Sequence, residues 1–386
     1  MLPRRFTQQL LRPEDLSPSR PDLKVLGVFN PALVAKPNCP DDTLILMARV
    51  AESPTDTRDG HHALPRYTQQ SELVVEYLPH EDDILGDPRK VIRKADQLMR
   101  LKFVSHIRVW ELELHREAPD ANPVPRITKE LPSFLPQSEC ETFGVEDPRI
   151  TPLTADDGTL TYWITYVSVS EHGACTSLAI THDFHAYERL GVCFAPENKD
   201  VVLGPERIDD RLIALHRPNT FQRFCKPEMW SATSSDGRDW GQHRPLFGGT
   251  AWWDNDRIGA GPPPVLLDDD RLLCVYHGSA VSTVKGKVGA YRAGLLALDR
   301  QQPWEVVGHT PEPIMQAELD WEQQGFVPDV VFPTGLATWS AAQQRWLGGS
   351  DVPQDDDELL VAYGAADTHV GLTAYRIADL KSALKA

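Results

Sequence analysis

The chemistry in this chain is concentrated first in eight residues, Phe143-Gly144-Val145-Glu146-Asp147-Pro148-Arg149-Ile150. Two carboxylates and a guanidinium stand between a glycine and the start of an apolar run. Pro148 fixes its own φ and removes a backbone donor, and an Asp-Pro step commonly opens a turn. A turn accounts for Asp147-Pro148 but not for a second acid and an arginine at a strand entrance. Arg149 has a structural role open to it, pairing with Glu146 or Asp147 to lock the turn, and that role is compatible with a substrate contact.

The same layout recurs. Five times a multiple-acid turn leads into an apolar run: Asp41-Asp42 before 44–50, Asp156-Asp157 before 160–169, Asp209-Asp210 before 212–215, Asp268-Asp269-Asp270 before 272–276, and Asp355-Asp356-Asp357 before 359–363. Each turn follows a strand-like segment with its own opening motif. These are Phe29-Asn30-Pro31, Glu146-Asp147-Pro148-Arg149, Asn198-Lys199-Asp200-Val201, Gly259-Ala260-Gly261-Pro262-Pro263 and Pro328-Asp329-Val330-Val331. Asp, Asn and Gly suit such turns because they bond the nearby backbone or tolerate left-handed φ/ψ. Five repeated hairpins, irregularly spaced by insertions, predict an all-β chain folded as a five-bladed β-propeller. A β-sandwich with solvated acidic turns is the competing architecture.

In a hairpin the start of the first strand and the end of the second lie together, away from the turn. The opening motifs should therefore share one face with Arg49, Tyr166 and Ser168, His216-Arg217, Tyr276-His277 and Asp367. That face carries an acidic set (Glu146, Asp147, Asp329, Asp367) and a basic set (Lys199, Arg217, Arg257, His277). Trp230, Trp252, Trp253, Tyr276 and Phe332 lie nearby in sequence. Carboxylates with aromatic platforms suit sugars, because acids bond hydroxyls and rings stack on apolar sugar faces. A basic cluster in a chain of formal charge −17 suits a small oxyanion such as phosphate. Sugar and phosphate together point to phosphorolysis. Inverting glycoside cleavage needs one acid on the leaving oxygen and a nucleophile on the opposite face. When phosphate is that nucleophile, cations replace the second carboxylate.

Other residues read as structural. His216 is out of phase with Arg217 on a strand, and only one of Trp252 and Trp253 should face the site. Glu206 and Arg207 precede a turn and should be solvated. Glu312 and Glu322 have no special context. Arg257 as a solvated loop residue and His277 as a satisfied strand-end histidine remain structural alternatives.

The rest of the chain has to position these groups. With 41% hydrophobic and 25% charged residues it has ordinary globular composition. Its 32 prolines and 25 glycines are spread evenly, and amphipathic helices are scarce. Helix is expected only at 8–11, 89–101 and 378–386, and 51–70 reads as a surface loop. Residues 1–24 form an N-terminal extension and 25–386 a single catalytic domain. The six cysteines are scattered, so they are read as reduced and mostly buried, with no disulfide frame and no zinc site. No apolar run is long enough to cross a membrane. The N-terminus lacks the apolar core of a secretion signal, so a cytoplasmic location is the default. A nucleic-acid binder would carry a broad basic face, and a chain of formal charge −17 with no run of Lys and Arg argues against such a partner.

Several stretches taken together resemble glycoside hydrolase family 130, the β-mannoside phosphorylases and related β-mannosidases. They are Gly27-Val-Phe-Asn-Pro31, Arg49-Val-Ala-Glu52, Ser105-His-Ile-Arg108, Phe143-Gly-Val-Glu-Asp-Pro-Arg149, Glu197-Asn-Lys-Asp-Val-Val-Leu203, Ala214-Leu-His-Arg-Pro218, Trp253-Asp-Asn-Asp-Arg-Ile-Gly-Ala-Gly-Pro-Pro263, Tyr276-His-Gly278, Val330-Val-Phe-Pro-Thr-Gly335 and Tyr363-Gly-Ala-Ala-Asp-Thr368. The resemblance implies a five-bladed propeller with Asp147 as general acid, acting directly or through the 3-hydroxyl of the mannose. It implies a phosphate cradle at Lys199, Arg217, Arg257 and His277. Arg49 and Asp367 would hold the mannosyl unit, with Asn30, Glu146, Arg149 and Asp329 beside it. The implied partners are a β-mannosyl oligosaccharide and inorganic phosphate as co-substrate, with no cofactor and no metal, and a homo-oligomer is compatible. Lys199 and Arg257 fall where relatives carry either Lys or Arg, and Lys lacks the bidentate fork. Gly204 stands where many relatives have Phe, Arg207 where many have Lys, and 53–70 departs from the usual pattern. All four positions of the basic set are filled, which favours phosphorolysis over hydrolysis by a β-mannosidase or a non-catalytic glycan-binding propeller. Linkage and acceptor depend on loops such as 53–70 and 218–230.

Overall fold

The computed structural model describes residues 1–36, 43–115, 123–155, 157–219, 224–282 and 289–384. The expected turn at Asp41-Asp42, Asp156 of the second turn, Cys39, part of the 218–230 loop and the last two residues lie outside the described residues. The described chain is dominated by antiparallel strands in five successive meanders. The first runs Leu23–Ala35, Leu44–Pro54, Val104–His115, Val124–Phe134. The second is Gly144–Thr154, Leu160–Ser170, Gly173–Thr181, Glu188–Phe194. The third is Asn198–Leu203, Leu212–Pro218, Met229–Ser234, Gly241–Phe247. The fourth begins with Arg257–Ala260 and Val265–Leu266 and continues through Arg271–Ser279, Tyr291–Asp299 and Val306–His309. The fifth is Val331–Ser340, Glu358–Ala365, His369–Arg376.

The outer strand of the fifth meander comes from the other end of the chain. Thr7–Leu11 pairs antiparallel with His369–Arg376, with Thr7 opposite Thr373. The helix expected at 8–11 is this strand. Side-chain pairing across the sheet outweighs any helical preference of so short a segment.

Both faces of the second strands are apolar because each sheet lies between two others. Leu44, Leu46, Ala48 and Val50 pack with Leu360 and Leu372 of the fifth meander, whereas Ile45 and Met47 pack with Val145 and Ile164 of the second. The same holds onward. Leu178 and Phe194 meet Val201 and Leu203, Val202 and Leu215 meet Ile258 and Leu272, and Leu273 and Leu295 meet Val331 and Val361. Full burial of each such side chain is worth about 1.5–3 kcal/mol. The first two meanders also share a parallel bridge, Gly144 to Ser105. Gly144 has φ 123, and a Cβ there would fall 2.5 Å from the Ser105 carbonyl oxygen, so only glycine fits.

Two further expectations change. Residues 89–101 form short paired strands, Lys90–Ile92 and Met99–Leu101, instead of a helix. Asp96 accepts a bond from the Leu98 amide and turns the chain between them. The stretch 51–70 is largely strand: Leu44–Pro54 runs into it, and His61–Tyr67 pairs with Leu73–Pro79. A C-terminal helix is present at Ile377–Ala383. Of the described cysteines, all with free thiols, Cys175 and Cys274 are buried, Cys140 and Cys193 half-buried and Cys225 exposed, so burial is less general than composition suggested. No helix among the described residues is long and apolar enough to cross a membrane.

Candidate active site

The site is built on a repeated backbone device. Asn30, Asp147 and Asp200 have φ of 50, 49 and 56°, and each sits where the first strand of its meander slips register against the second. A bulge of this kind re-aims a side chain, and Asn and Asp bear a left-handed φ at less cost than other non-glycine residues. Asp367, φ 50°, lies just beyond Glu358–Ala365 and completes the set from the fifth meander.

One cluster surrounds Asp147. Its Oδ1 accepts from Asn30 Nδ2 at 2.9 Å and Arg49 Nη1 at 3.3 Å. Arg49 also donates through Nη2 to Glu146 Oε1 at 2.6 Å and through Nε to Ser105 Oγ at 3.0 Å. Its guanidinium lies 4.7 Å from the centre of the Phe29 ring. Lys199 Nζ approaches Glu146 Oε2 at 3.8 Å. Burial pushes the Asp367 carboxyl up to about 6; Arg49 opposes the rise, and the Asp147 and Glu146 carboxylates add to it.

A second cluster surrounds Asp200. Arg149 donates to Asp147's backbone carbonyl at 2.8 Å, to Gly261's at 3.2 Å and to Asp200 Oδ1 at 3.3 Å. Asp200 Oδ2 stands 2.5 Å from Arg217 Nη1 and 3.2 Å from His277 Nε2. Burial alone would raise the Asp200 carboxyl, but Arg217, His277 and Arg149 hold it well below the usual carboxylate range. Burial pushes the His277 imidazole below its ordinary value against the pull of Asp200. His277 is therefore neutral at pH 7, and the basic set holds three permanent cations and one uncharged ring. Phe332 covers that ring at 4.1 Å between centroids.

Accessibility orders the cradle. The side chains of Lys199 and Arg257 are 28% and 29% exposed, that of Arg217 7% and that of His277 0%. Lys199 and Arg257 are thus the more open members of the basic set and Arg217 and His277 the enclosed ones. Arg257 pairs with Asp256 at 3.1 Å and neighbours Tyr291. Asn30 Oδ1 and Arg217 Nε are buried without a hydrogen-bond partner among the described residues. One is an acceptor beside Asp147 and the other a donor beside Asp200, and buried polar groups of this kind are normally satisfied.

Other expected residues are placed elsewhere. Asp329 is exposed and lies near Arg292; its backbone carbonyl accepts from the Tyr291 amide. Tyr166 is in the core, bonded to Glu141, and Ser168 bonds Ser177. Trp253 and Tyr276 are core residues, Trp252 is exposed against Arg292, and of the five aromatics Phe332 alone joins the clusters. His216 bonds Asn198 and His243 and is structural. Glu206 pairs with Arg300 at the surface. Glu322, passed over in the sequence, is fully buried and ties Arg4 to Tyr363. A cavity of about 730 Å³ lies at the far ends of the first strands, among Ile150, Pro152, Pro264, Leu336 and Trp346, and none of the site residues lines it.

Sequence reasoning missed Asp200 and Tyr291. Asp200 stands in a quoted motif, but Lys199 beside it carried the more obvious chemistry. Tyr291 had no local signal. Together the residues offer a group of carboxylates around Asp147 linked to a set of basic side chains, an arrangement suited to cleaving a glycosidic bond with an oxyanion.

The sequence profile of the beta-1,4-mannooligosaccharide phosphorylase family, glycoside hydrolase family 130, matches residues 117–385. The chain is 32% identical over 378 residues to a beta-1,2-mannobiose phosphorylase of Listeria innocua, covering 96% of this chain and 95% of that one. It is 32% identical over 256 residues to a 1,2-beta-oligomannan phosphorylase of Thermoanaerobacter sp., covering 65% and 74%. The solved structure of the Listeria enzyme with beta-1,2-mannobiose superposes with a TM-score of 0.78 at 30% identity, over 96% of this chain and 95% of that one. The protein belongs to glycoside hydrolase family 130.

Proposed function

We propose that the protein is an inverting β-mannoside phosphorylase. The observation that carries this reading is the Asp147 carboxylate, held by Asn30 and Arg49 and joined through Arg149 and Asp200 to the cationic set. Phosphate, received by Lys199, Arg257 and Arg217, attacks the anomeric carbon of the terminal mannosyl unit. The bond from that carbon to the leaving oxygen breaks, and Asp147 supplies the leaving oxygen's proton, directly or through the 3-hydroxyl. The products are α-mannose 1-phosphate and a sugar one unit shorter. Arg49, Asp367, Asn30 and Glu146 hold the mannosyl hydroxyls, while Arg149 fixes the backbone of the acid. Asp329 contacts the sugar farther out, and His277 supports the cradle from beneath. Phosphate is a co-substrate, and the scheme calls for no cofactor.

The fold we propose is a five-bladed β-propeller with the site on its axis. The five cores between successive meanders support it, because the fifth meander packs back on the first. Residues 25–386 form its catalytic domain, with the N-terminal segment lending a strand to the last blade. A cytoplasmic location fits a reaction that consumes phosphate and yields a sugar phosphate. The β-1,2 linkage is the first choice, because relatives named for it match at 32% identity. The test is β-1,2-mannobiose incubated with and without phosphate. α-Mannose 1-phosphate formed only with phosphate is expected, and equal release of free mannose without phosphate overturns the reading.

A further inference from the structure

Asp200 is an anomaly in a site meant for an anion. It is 2% exposed and sits among the very cations assigned to phosphate. A carboxylate there repels phosphate and subtracts one charge from the three of Lys199, Arg217 and Arg257. A group so placed cannot serve by touching the anion, so its use must lie in what it holds.

What it holds comes from three meanders. Oδ1 takes Arg149 of the second, and Oδ2 takes Arg217 of the third and faces His277 of the fourth. Arg149 in turn grips the backbone carbonyl of Asp147 at 2.8 Å. A continuous buried chain therefore runs from the acid, through Arg149 and Asp200, to Arg217. An inverting reaction needs donor and nucleophile on opposite faces of one carbon at a fixed separation. A free Arg217 has many rotamers to lose, and its ion pair with Asp200 Oδ2 at 2.5 Å restrains it. Packing fixes Asp200 from the other side as well: a Cβ on Gly259 would strike Asp200 Oδ2 and lie 2.8 Å from His277 Nε2.

We propose that Asp200 is a positioning residue that aims Arg217 at the attacking phosphate and fixes the cradle relative to Asp147. This rests on the phosphorolysis reading above. Asp200 contributes no proton and touches no substrate, so its loss acts on phosphate and leaves sugar binding intact.

The experiment pairs calorimetric titration of inorganic phosphate with initial-rate kinetics on the wild type, Asp200→Asn and Gly259→Ala. Asp200→Asn keeps the shape and removes the charge. Gly259→Ala keeps the charge and displaces it. Each should weaken phosphate binding and raise KM for phosphate at least tenfold, with KM for mannobiose at saturating phosphate within about twofold. Phosphate affinity and KM within twofold of wild type in both variants overturn the proposal, as does an equal rise in both KM values. If Asp200→Asn does not fold, Gly259→Ala decides alone by the same criteria. A wild type that neither binds phosphate nor forms mannose 1-phosphate overturns the phosphorolysis reading, and the Asp200 proposal with it, before any variant is made.

Discussion

Asn30 Nδ2 and Arg49 Nη1 converge on the same oxygen of Asp147, at 2.9 and 3.3 Å. Both donors belong to the first meander, whereas the acid belongs to the second. The Asp147 carboxylate is therefore held between two meanders through one oxygen, Oδ1.

In the proposed reaction the Asp147 side chain is the proton source. Asp147→Asn keeps the size and the acceptor for Asn30 and Arg49 but cannot deliver a proton. We expect kcat to fall by about 10²–10⁴-fold, read as mannose 1-phosphate release, with the thermal midpoint close to wild type. Near-normal rates would remove Asp147 from the role of acid.

Lys199 is at the accessible edge of the cradle, and its one recorded partner is Glu146 at 3.8 Å. Lys199→Ala should raise KM for phosphate about 10–100-fold and leave KM for the mannoside nearly unchanged. Equal effects on both would mean that Lys199 binds sugar.

Asp367 gives a pH signature. Its folded-state value of about 6 lies above its ordinary 3.8. The folded protein thus holds this proton more tightly than the unfolded chain does. The group's contribution to stability falls as pH rises from about 4 to about 6, and the penalty is fully present above that. Asp367→Asn should therefore raise the thermal midpoint relative to wild type at pH 7 and lose that advantage at pH 4. The carboxylate is the form that accepts from sugar hydroxyls, so the wild-type kcat/KM for mannoside should drop as pH falls through about 6. A pH-independent stability difference between the two proteins would contradict the assignment.

The strand Thr7–Leu11 covers the edge of the last sheet. Removing residues 1–12 should leave His369–Arg376 with an unpaired edge. We expect a thermal midpoint lower by several degrees and concentration-dependent association in size-exclusion chromatography. Unchanged values in both measurements would show the strand to be dispensable.

The all-β class was legible because each hairpin announces itself locally, with acids at the turn and an apolar run after it. The acid motif and the cations were legible for the same reason, since the bulges that aim Asn30 and Asp147 fall within the opening motifs. What was not legible depends on partners distant in the chain. Thr7–Leu11 looks helical until its partner strand, more than 350 residues on, is known. His277 looks cationic until the burial beneath Phe332 is seen, and Asp200 gains its role only when Arg149, Arg217 and His277 meet around it. The pairing at 89–101 rests on bonds local to its turn, Arg93 amide to Leu98 carbonyl, Gln97 amide to Arg93 carbonyl and Leu98 amide to Asp96, which no apolar periodicity announces.

The pairing of Thr7 with Thr373 also sets a clock for synthesis. The two residues are 366 positions apart. At about 5–20 residues per second, Thr7 leaves the ribosome roughly 20–70 s before its partner exists. Until then Thr7–Leu11 has no partner strand. An unpaired strand edge is an aggregation hazard in that interval, and synthesis of His369–Arg376 ends it.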